Sequence, residues 1–465
     1  MKKYLTLVNK ENQIKNNYLK NIKLVNTKLA DNTPCQLEEI TYQNYLLLKK
    51  ELASKKIDIS LASTYRTVED QQAIWEEYKE KYGLEYVKKY VAIPKTSEHH
   101  TGLAIDLALK VNGKYTWDND ELLQQEDIFK KIHKILPEYG FILRYPKGKE
   151  EITSYQYEPW HIRYVGKIPA KIMYENHWTL EEYITKFSGI LYVNKEVGKT
   201  SFDIVNEISN IFGIQKVGHT GTLDPLAEGV LIVTLGKAVK VAELITAEDK
   251  EYIAGILLGV ETDTLDITGN VIKSKPVDIS KDLEQVVNSY KKTYMQEVPV
   301  FSAIKVNGKK LYEYARENKP VELPKKEVTI KEIKLLSSDN DTFVIKTKVT
   351  KGCYIRSLIR DIGRSLGTYA TMTALTRTKQ GKIDIKDTNT LEEIKQGKYK
   401  LHKIEEVLDL PVIEVNSTLE KKIKNGQKLL NTYHIKDKVI FKNEKKEILG
   451  IYKVEKDKLR VWKNF

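Results

Sequence analysis

The sequence has little cysteine and no long apolar run. Of its 465 residues only Cys35 and Cys353 are cysteines, and they lie far apart. This excludes a disulfide framework and a zinc knuckle of paired CxxC motifs, so nothing argues for an oxidising compartment. No uninterrupted apolar stretch approaches the roughly 18 residues that a transmembrane helix needs. The apolar run after the basic start breaks at Asn9-Lys10, too early for a signal peptide. We therefore expect a cytoplasmic protein without a membrane partner.

The composition is that of a basic, globular, multidomain chain. Hydrophobic residues make up 41% of the sequence, which is too many for a disordered chain. The length suggests two to four domains. The formal net charge of +13 fits a polyanionic partner such as RNA, although a lysine-rich composition gives the same surplus without that role. Phenylalanine is scarce, with 9 residues against 28 tyrosines, and scattered tyrosines are compatible with base stacking.

Strand and helix patterns alternate along the chain and predict a multidomain α+β protein. A strand is predicted over residues 100–110 and a looser segment over residues 178–186. A new strand pattern begins after residue 187, and a short β-rich tail begins after Pro411. We therefore predict three domains, comprising residues 1–186, 187–411 and 412–465.

A glycine-rich turn, Gly218-His219-Thr220-Gly221-Thr222-Leu223-Asp224-Pro225, holds a single carboxylate. Glycine opens backbone conformations that other residues avoid, and proline fixes the exit, so the turn can hold Asp224 in one place. Much later, Lys351-Gly352-Cys353-Tyr354-Ile355-Arg356 offers a cation and an aromatic ring. One acid, one arginine and stacking rings suit chemistry on a nucleobase better than hydrolysis. The alternative is a structural Asx-turn at Asp224.

A second group of polar residues lies near the N-terminus. His99 and Asp106 are seven residues apart, with a turn at Gly102 that can bring them together, and Glu158-Pro159-Trp160-His161 adds another imidazole and a carboxylate. Two histidines and one carboxylate, with a fourth position open to water, are the ligands of a catalytic zinc site. The remaining Glu158 could act as general base, and Arg66 could bind a substrate carboxylate.

These segments resemble the zinc D-alanyl-D-alanine carboxypeptidase and dipeptidase family, whose motifs are Ser-x-His-x-x-Gly-x-Ala-x-Asp and Glu-x-Trp-His. The match covers roughly residues 30–170. The resemblance implies a small α+β domain that binds Zn²⁺ through His99, Asp106 and His161, with Glu158 as base and Arg66 on the substrate carboxylate. The implied substrate is a peptide or dipeptide ending in D-Ala. The resemblance does not decide whether the enzyme cuts a D,D or an L,D bond. We do not expect His100 to bind the metal, because its side chain should point to the opposite face of a strand from that of His99.

The region from residue 189 to about 411 resembles the TruB-type tRNA pseudouridine synthases. The matching segments include residues 189–191, 200–203, 218–225, 250–252, 302–308, 352–356 and 375–378. The resemblance implies a mixed α/β domain with a large, mostly antiparallel sheet, and isomerisation of uridine 55 in the TΨC arm of tRNA. The tail resembles a small PUA-like RNA-binding module, in which Lys421, Lys422, Lys424 and Lys428 either contact phosphates or form a solvated face.

The second resemblance also implies roles for individual residues. Asp224 is the nucleophile or a ribose-directed base, and Arg356 pairs with it, since an adjacent cation favours an ionised carboxylate. Tyr252 stacks on the uracil and takes the C5 proton of a flipped-out nucleotide. The reaction needs no cofactor. Five further residues are expected to wall the pocket, approach phosphates or fill the space left in the RNA: Tyr354, Leu375, Lys250, Lys305 and His219.

The leading hypothesis is therefore a fusion of a zinc peptidase-like domain and a tRNA pseudouridine synthase. Two alternatives remain: only the peptidase is physiological, or the fusion binds RNA without catalysis.

Overall fold

The computed structural model describes residues 2–277, 282–317 and 319–465, and the chain divides into two compact units. The first unit comprises Met1–Phe187 with Ile208–Gln215, and the second comprises Ser188–Glu207 with Lys216–Phe465. The predicted boundary after residue 186 lies one residue from this division. The predicted boundary after residue 411 lies inside the second unit.

The first unit contains seven strands and eight α-helices in its described residues. The strands are β1 (Leu24–Lys28), β2 (Pro34–Glu38), β3 (Ile59–Ser63), β4 (Ala104–Val111), β5 (Lys114–Thr116), β6 (Phe141–Leu143) and β7 (His161–Tyr164). The helices are α1 (Glu39–Ser54), α2 (Val68–Tyr82), α3 (Leu84–Tyr90), α4 (Asn119–Leu123), α5 (Glu126–Ile135), α6 (Glu150–Thr153), α7 (Lys167–Asn176) and α8 (Leu180–Lys186).

An antiparallel sheet in the order β3-β4-β7-β6, with β5 paired to β4, organises this unit. Helix α1 covers it because Tyr45, Leu48 and Leu52 fall on one face and are buried. The Glu38 side chain accepts from the Thr41 backbone N–H and caps the start of α1. The core therefore fixes the positions of β4 and β7, which carry polar residues at adjoining ends.

Two sequence predictions in this unit are wrong. Residues 98–101 form a 3-10 helix rather than part of a strand, and β4 begins only at Ala104. The interruption lies at Gly102, where the backbone turns left-handed with φ +67°. Residues 180–186 are helical rather than loose, because Thr179 and Glu182 form a reciprocal capping box.

The second unit contains the larger number of elements. Its strands are β8 (Ser188–Lys195), β9 (Val217–His219), β10 (Ala227–Gly236), β11 (Lys250–Leu258), β12 (Val260–Thr262), β13 (Val271–Ser274), β14 (Thr293–Glu297), β15 (Lys305–Val306), β16 (Lys309–Lys310), β17 (Lys325–Asp339), β18 (Thr342–Val349), β19 (Ala370–Gln380), β20 (Ile383–Asp384), β21 (Val412–Glu414), β22 (Leu429–Leu430), β23 (Lys438–Lys442), β24 (Ile448–Glu455) and β25 (Lys458–Asn464). Its helices are α9 (Ser201–Phe212), whose last turns belong to the first unit, α10 (Ala242–Thr246), α11 (Leu283–Ser289), α12 (Leu311–Arg316), α13 (Ile355–Ser365), α14 (Leu391–Lys395), α15 (Ile404–Val407) and α16 (Ser417–Lys424).

A large sheet in the order β14-β17-β18-β11-β19-β10-β8 is the framework of the second unit, with β20 beside β19 and β9 beside β10. Its strand pairs are antiparallel except β10 and β19, which are parallel. Strand β11 alternates between buried and partly buried residues, as expected of a strand with one face in the core. Helix α13 packs its Ile355, Leu358, Ile359 and Ile362 side chains into the core.

The tail forms a separate sheet in the order β21-β23-β24-β25-β22. Phe441 and Tyr452 lie in its own core, whereas Ile440 and Ile451 join the apolar cluster beneath β8 and β10. Helix α16, which carries Lys421, Lys422 and Lys424, adds a helical element to a segment expected to be β-rich. Within the described ranges of the chain, no helix is both long and apolar enough to cross a lipid bilayer.

Candidate functional sites

Three metal-ligating side chains meet at the adjoining ends of β4 and β7. His99 lies on the 3-10 helix before β4, Asp106 is the third residue of β4, and His161 is the first residue of β7. Asp106 and His161 are directly paired in the sheet register. The sheet register places the side chains of Asp106 and His161 together, and the turn at Gly102 brings His99 close to them. The three side chains therefore converge.

The side-chain atoms of this group lie close enough together to share one metal ion. His99 Nε2 lies 3.1 Å from Asp106 Oδ2, and His161 Nδ1 lies 3.0 Å from Asp106 Oδ1. One ligand atom of each residue lies within 4.8 Å of the others. Zinc–nitrogen bonds of about 2.0 Å at tetrahedral angles separate ligand atoms by about 3.3 Å. The residue types and their spacing therefore suit zinc.

The two imidazoles have different electrostatic environments. Burial and, to a lesser extent, the charge of the nearby Arg66 lower the pKa of His99 to about 4. Its Nδ1 lies 2.6 Å from the Thr64 carbonyl oxygen, which leaves Nε2 facing Asp106. Burial also opposes the charged form of His161, but the carboxylates of Asp106, Glu98 and Glu158 together outweigh it and raise the pKa of His161 to about 9.

Glu158 and Arg66 flank the three ligands. Glu158 Oε2 lies 3.6 Å from His161 Nδ1, and burial raises the pKa of the Glu158 carboxyl to about 7. A base whose pKa is near neutrality is suited to accepting a proton from water. Arg66 Nη2 contacts Asp106 Oδ2 at 3.0 Å, and its Nε donates to Ser63 Oγ. Arg66 thus already pairs with a carboxylate at the place where a substrate carboxylate was expected to bind.

These five residues, His99, Asp106, His161, Glu158 and Arg66, line a cleft of about 900 Å³. Its walls include Tyr78 and Tyr86 from α2 and α3 and, on another side, Tyr157 and Trp160. A cleft of this size accommodates a ligand well beyond a single amino acid.

A buried ion cluster that had no predicted role lies beside the three candidate ligands. Glu98, Arg144 and Arg163 have fully buried side chains, and both arginines donate to Glu98 Oε1, at 2.8 and 2.7 Å. Glu98 directly precedes His99, and Arg163 follows His161 by two residues. This closeness to the candidate ligands was the only sign in the sequence that the two residues belong to the site. His100 lies outside the ligand group, but the strand argument for this was wrong, since its Nδ1 and Nε2 contact backbone atoms of Arg66 and Lys95 from a 3-10 helix.

The second candidate site is built on the turn between β9 and β10. Gly221 has φ +112°, and Ser201 Oγ both accepts from the Leu223 N–H and donates to the Leu223 carbonyl. Gln380 Nε2 donates to the carbonyl and hydroxyl oxygens of Thr220, each at 2.9 Å. The turn that carries Asp224 is therefore held by side chains from α9 and β19.

Asp224 faces Arg356 rather than its own backbone. Arg356 Nη2 lies 2.9 Å from Asp224 Oδ2, and within the described residues no backbone N–H donates to this carboxylate. Arg356 is itself fixed, because it donates to the carbonyl oxygens of Thr264 at 3.0 Å and Phe301 at 3.1 Å. The arginine side chain is 6% exposed and the aspartate side chain 34%, so the acid remains accessible to a substrate.

The aromatic and apolar candidates lie on elements that meet beside this turn. Tyr252 on β11 is paired with Arg377 on β19, and Leu375 of β19 is paired with Ala227 of β10, three residues after Asp224. Tyr354 precedes α13. Burial raises the pKa of its hydroxyl, which also lies close enough to Asp224 and Arg356 to be influenced by their charges.

The remaining three candidates have different surroundings. Lys250 is buried and donates from Nζ to the carbonyl oxygens of Thr246 and Glu248, at 2.7 and 2.5 Å. Its Cε lies 3.8 Å from the point where a Cβ on Gly221 would stand. His219 ends β9, and its buried Nδ1 has no hydrogen-bond partner in the described part of the chain. Lys305 is exposed on β15.

Two buried side chains that support this site had no predicted role. Arg377 Nε donates to the Val230 carbonyl at 2.6 Å and its Nη2 to the Gly221 carbonyl at 3.1 Å. Gln296 Oε1 accepts from the Tyr354 N–H at 2.8 Å, at the start of the helix that carries Arg356. Their partners lie 58 to 156 residues away, so no local pattern could reveal these contacts.

Both compact units contain segments that match known protein families. Residues 209–355 match the TruB family pseudouridylate synthase N-terminal domain, and residues 356–420 match the tRNA pseudouridylate synthase B C-terminal domain. Residues 34–167 match the VanY D-alanyl-D-alanine carboxypeptidase domain. The first two segments contain Asp224, Tyr252 and Arg356, and the third contains His99 and His161.

Individual relatives give the same division. The tRNA pseudouridine synthase B of Caldanaerobacter subterraneus subsp. tengcongensis is 41% identical over 276 residues, 58% of this chain and 97% of the relative. That of Fusobacterium nucleatum is 48% identical over 198 residues, 42% of this chain and 69% of the relative. A solved VanY D,D-pentapeptidase from a VanB-type vancomycin-resistance cassette, in complex with Zn(II), is 29% identical, with a TM-score of 0.33, and the match covers 39% of this chain and 98% of that structure.

The N-terminal region carries a match to the VanY domain over residues 34–167, and the length of the match to the tRNA pseudouridine synthase B relatives decides the family of the rest of the chain. Since the chain covers almost the whole length of a relative that is 41% identical, it belongs to the tRNA pseudouridine synthase B family.

Proposed function

We propose that the second unit isomerises uridine 55 in the TΨC arm of tRNA to pseudouridine. The observation that carries this proposal is the accessible Asp224 carboxylate, held 2.9 Å from a buried Arg356 on a rigid turn. A tRNA substrate also implies that the protein works in the cytoplasm.

The isomerisation breaks the bond between N1 and C1′ of the uridine and forms one between C5 and C1′. The C5 hydrogen leaves as a proton, and N1 gains one. A uridine within a folded arm must first be turned out of its stack. Asp224 then acts as the nucleophile or as a base directed at the ribose, while Arg356 holds its carboxylate in place. Tyr252 stacks on the uracil and accepts the C5 proton, while Tyr354 and Leu375 wall the pocket.

We propose that His219, Lys305 and four lysines of the tail contact the RNA, whereas Lys250 acts within the protein. His219 fills the space that the flipped base leaves, and Lys305 contacts a phosphate. Lys250 stabilises the Gly221 turn from inside. The tail, residues 412–465, adds a PUA-like RNA-binding surface through Lys421, Lys422, Lys424 and Lys428. No step of this scheme needs a cofactor.

The test is an unmodified tRNA transcript treated with the purified full-length protein. Pseudouridine should form at position 55, and substitution of that uridine by cytidine should abolish the reaction. Pseudouridine at a different position would contradict the assignment of the substrate site. Tight tRNA binding without any pseudouridine would support the non-catalytic alternative.

We also propose that the first unit is a zinc peptidase that removes a C-terminal D-Ala from a peptide or dipeptide. His99, Asp106 and His161 would hold the ion, which would supply Lewis acidity towards the scissile carbonyl when bound. Glu158 accepts a proton from the attacking water, and Arg66 exchanges its contact with Asp106 for the terminal carboxylate of the substrate.

Metal analysis and peptide hydrolysis test this second activity separately. The full chain should bind one equivalent of zinc, and His161→Ala should bind none at the same free zinc concentration. Peptides ending in D-Ala-D-Ala and in L-Lys-D-Ala distinguish a D,D from an L,D enzyme by the D-Ala released. Equal zinc content in both proteins would reject the site. D-Ala release by a protein that forms no pseudouridine would favour the alternative in which only the peptidase is physiological.

A further inference from the structure

The Glu98 carboxylate lies on the side of His161 that faces away from the other two ligands. Its Oε2 is 3.8 Å from His161 Nε2, while His161 Nδ1 faces Asp106. Both Oε2 and Nε2 are buried, and neither has a hydrogen-bond partner in the regions that the structure describes. Buried polar atoms are rarely left unpaired, so two of them facing each other indicate an interaction that closes in another state of the site.

The other oxygen of Glu98 is already occupied. Oε1 accepts from Arg144 Nε and from Arg163 Nη1, and the side chains of all three residues are 0% exposed. These contacts fix the carboxylate plane and aim Oε2 at the imidazole. A movement of about 1 Å would bring Oε2 and Nε2 to hydrogen-bond distance.

The identity of the ring nitrogen matters for metal binding. A neutral imidazole carries one proton, and only the nitrogen without it can bind a metal. A carboxylate that accepts from Nε2–H keeps the lone pair of Nδ1 free. Such carboxylate–histidine pairs orient metal ligands in many metalloproteins, and their loss weakens metal affinity about 10- to 100-fold.

We propose that Glu98 is a positioning residue that accepts the His161 Nε2–H and thereby commits Nδ1 to the metal. This inference rests on the proposed zinc site and adds to it the residue that selects the ring nitrogen. A purely structural Glu98 would instead serve only to neutralise Arg144 and Arg163, and would leave the metal affinity to the three ligands.

The substitution Glu98→Gln separates these two roles. An amide has a single acceptor oxygen, which the two arginine donors occupy, so its NH₂ group faces His161. His161 Nε2 must then accept, and the proton moves to Nδ1, where it blocks the metal. Glu181→Gln is the matched control. Glu181 also accepts from Arg144, at 3.0 and 2.6 Å, but it does not face His161.

The measurement is the zinc dissociation constant of each full-length protein, from competition with a chelator at fixed pH, together with the visible spectrum of its cobalt(II) form. We expect Glu98→Gln to bind zinc about 10- to 100-fold more weakly with an altered cobalt spectrum, and Glu181→Gln to match the wild type. If Glu98→Gln and Glu181→Gln both match the wild type while His161→Ala loses zinc, this inference fails and the zinc site stands. If His161→Ala also binds normally, the zinc site itself fails.

A second measurement needs no variant at Glu98 and so does not depend on its folding. In the zinc-loaded wild type, labelled with ¹⁵N in its eight histidines, the His161 signal is identified by its loss in His161→Ala. We expect a metal-bound Nδ1 and a slowly exchanging proton on Nε2. Coordination through Nε2 would overturn the inference.

Discussion

Arg377 joins three segments of the second unit through one guanidinium group. From β19 it donates to the backbone of β10 at Val230 and to the turn at Gly221, and its side chain is almost fully buried. The position of Gly221, three residues before Asp224, therefore depends on a side chain more than 150 residues later in the sequence.

Replacing Arg377 by methionine should loosen this turn. Two carbonyl oxygens lose their donors, and each unpaired buried group costs about 1–3 kcal/mol. We expect a lower midpoint of thermal unfolding and a fall in kcat for tRNA isomerisation that exceeds the change in KM. Lys379→Met, on an exposed position of the same strand, is the control and should change neither value. A normal kcat in a folded Arg377→Met protein would show that the turn does not need this support.

Lys250 makes the stability of the second unit depend on pH. Burial and, to a lesser extent, the charge of Arg377 lower the pKa of its ammonium from 10.5 to about 8. Between about pH 8 and 10.5 the unfolded chain therefore binds more protons at this position, and the free energy of unfolding rises with pH. Lys250→Met should lose this contribution, whereas the exposed Lys305→Met should keep it. Urea unfolding at pH 7.5, 8.5 and 9.5 measures the slope, and parallel pH profiles for wild type and Lys250→Met would contradict the account.

At the scale of elements, β10 and β19 form the parallel pair beside the candidate site. Gly229 of β10 is paired with Arg377 of β19 and has φ +100°. A Cβ at this position would stand 2.3 Å from the Arg377 carbonyl oxygen, a distance that the backbone cannot tolerate. The two strands can therefore approach each other only with glycine here.

Gly229→Ala should destabilise the second unit by about 2–3 kcal/mol, through the clash and the unfavourable positive φ. Gly308→Ala measures the effect of the positive φ alone, because Gly308 has φ +81° but open space around it. It should lower the free energy of unfolding by about 1 kcal/mol. Denaturant unfolding of the three proteins provides the comparison. Equal losses for both variants would mean that the close approach of the strands contributes nothing.

Helices and strands could be predicted from the sequence where the local pattern of apolar residues determines them. The pattern that begins after residue 187 predicts a strand, and the structure has β8 at Ser188–Lys195. The strand predicted over residues 100–110 was wrong only at its start, because the left-handed Gly102 interrupts the chain and the strand begins at Ala104. The metal ligands lie in short motifs that can be recognised locally. Glu98 and Arg377 could not be assigned, since the contacts that give them a role come from distant segments.

At the scale of the whole molecule, the chain carries two chemically unrelated sites, each within its own compact unit. Neither proposed reaction uses a residue of the other site. Substitutions at one site are expected to leave the other unchanged, since the two sites share no residue and belong to separate compact units.

His161→Ala should therefore abolish D-Ala release and keep isomerisation of tRNA at the wild-type rate, and Asp224→Asn should do the reverse. Both activities are measured on the same preparation of the 53.7 kDa chain. A loss of both activities in either folded variant would reveal coupling that the separate sites do not predict.

The most direct test of the central claim is the isomerisation of tRNA by Asp224→Asn. This variant keeps the size of the side chain and removes its negative charge opposite Arg356. The account predicts that tRNA is bound with nearly wild-type affinity while pseudouridine at position 55 falls below detection. Turnover retained in Asp224→Asn would contradict the assignment of Asp224 as the catalytic residue.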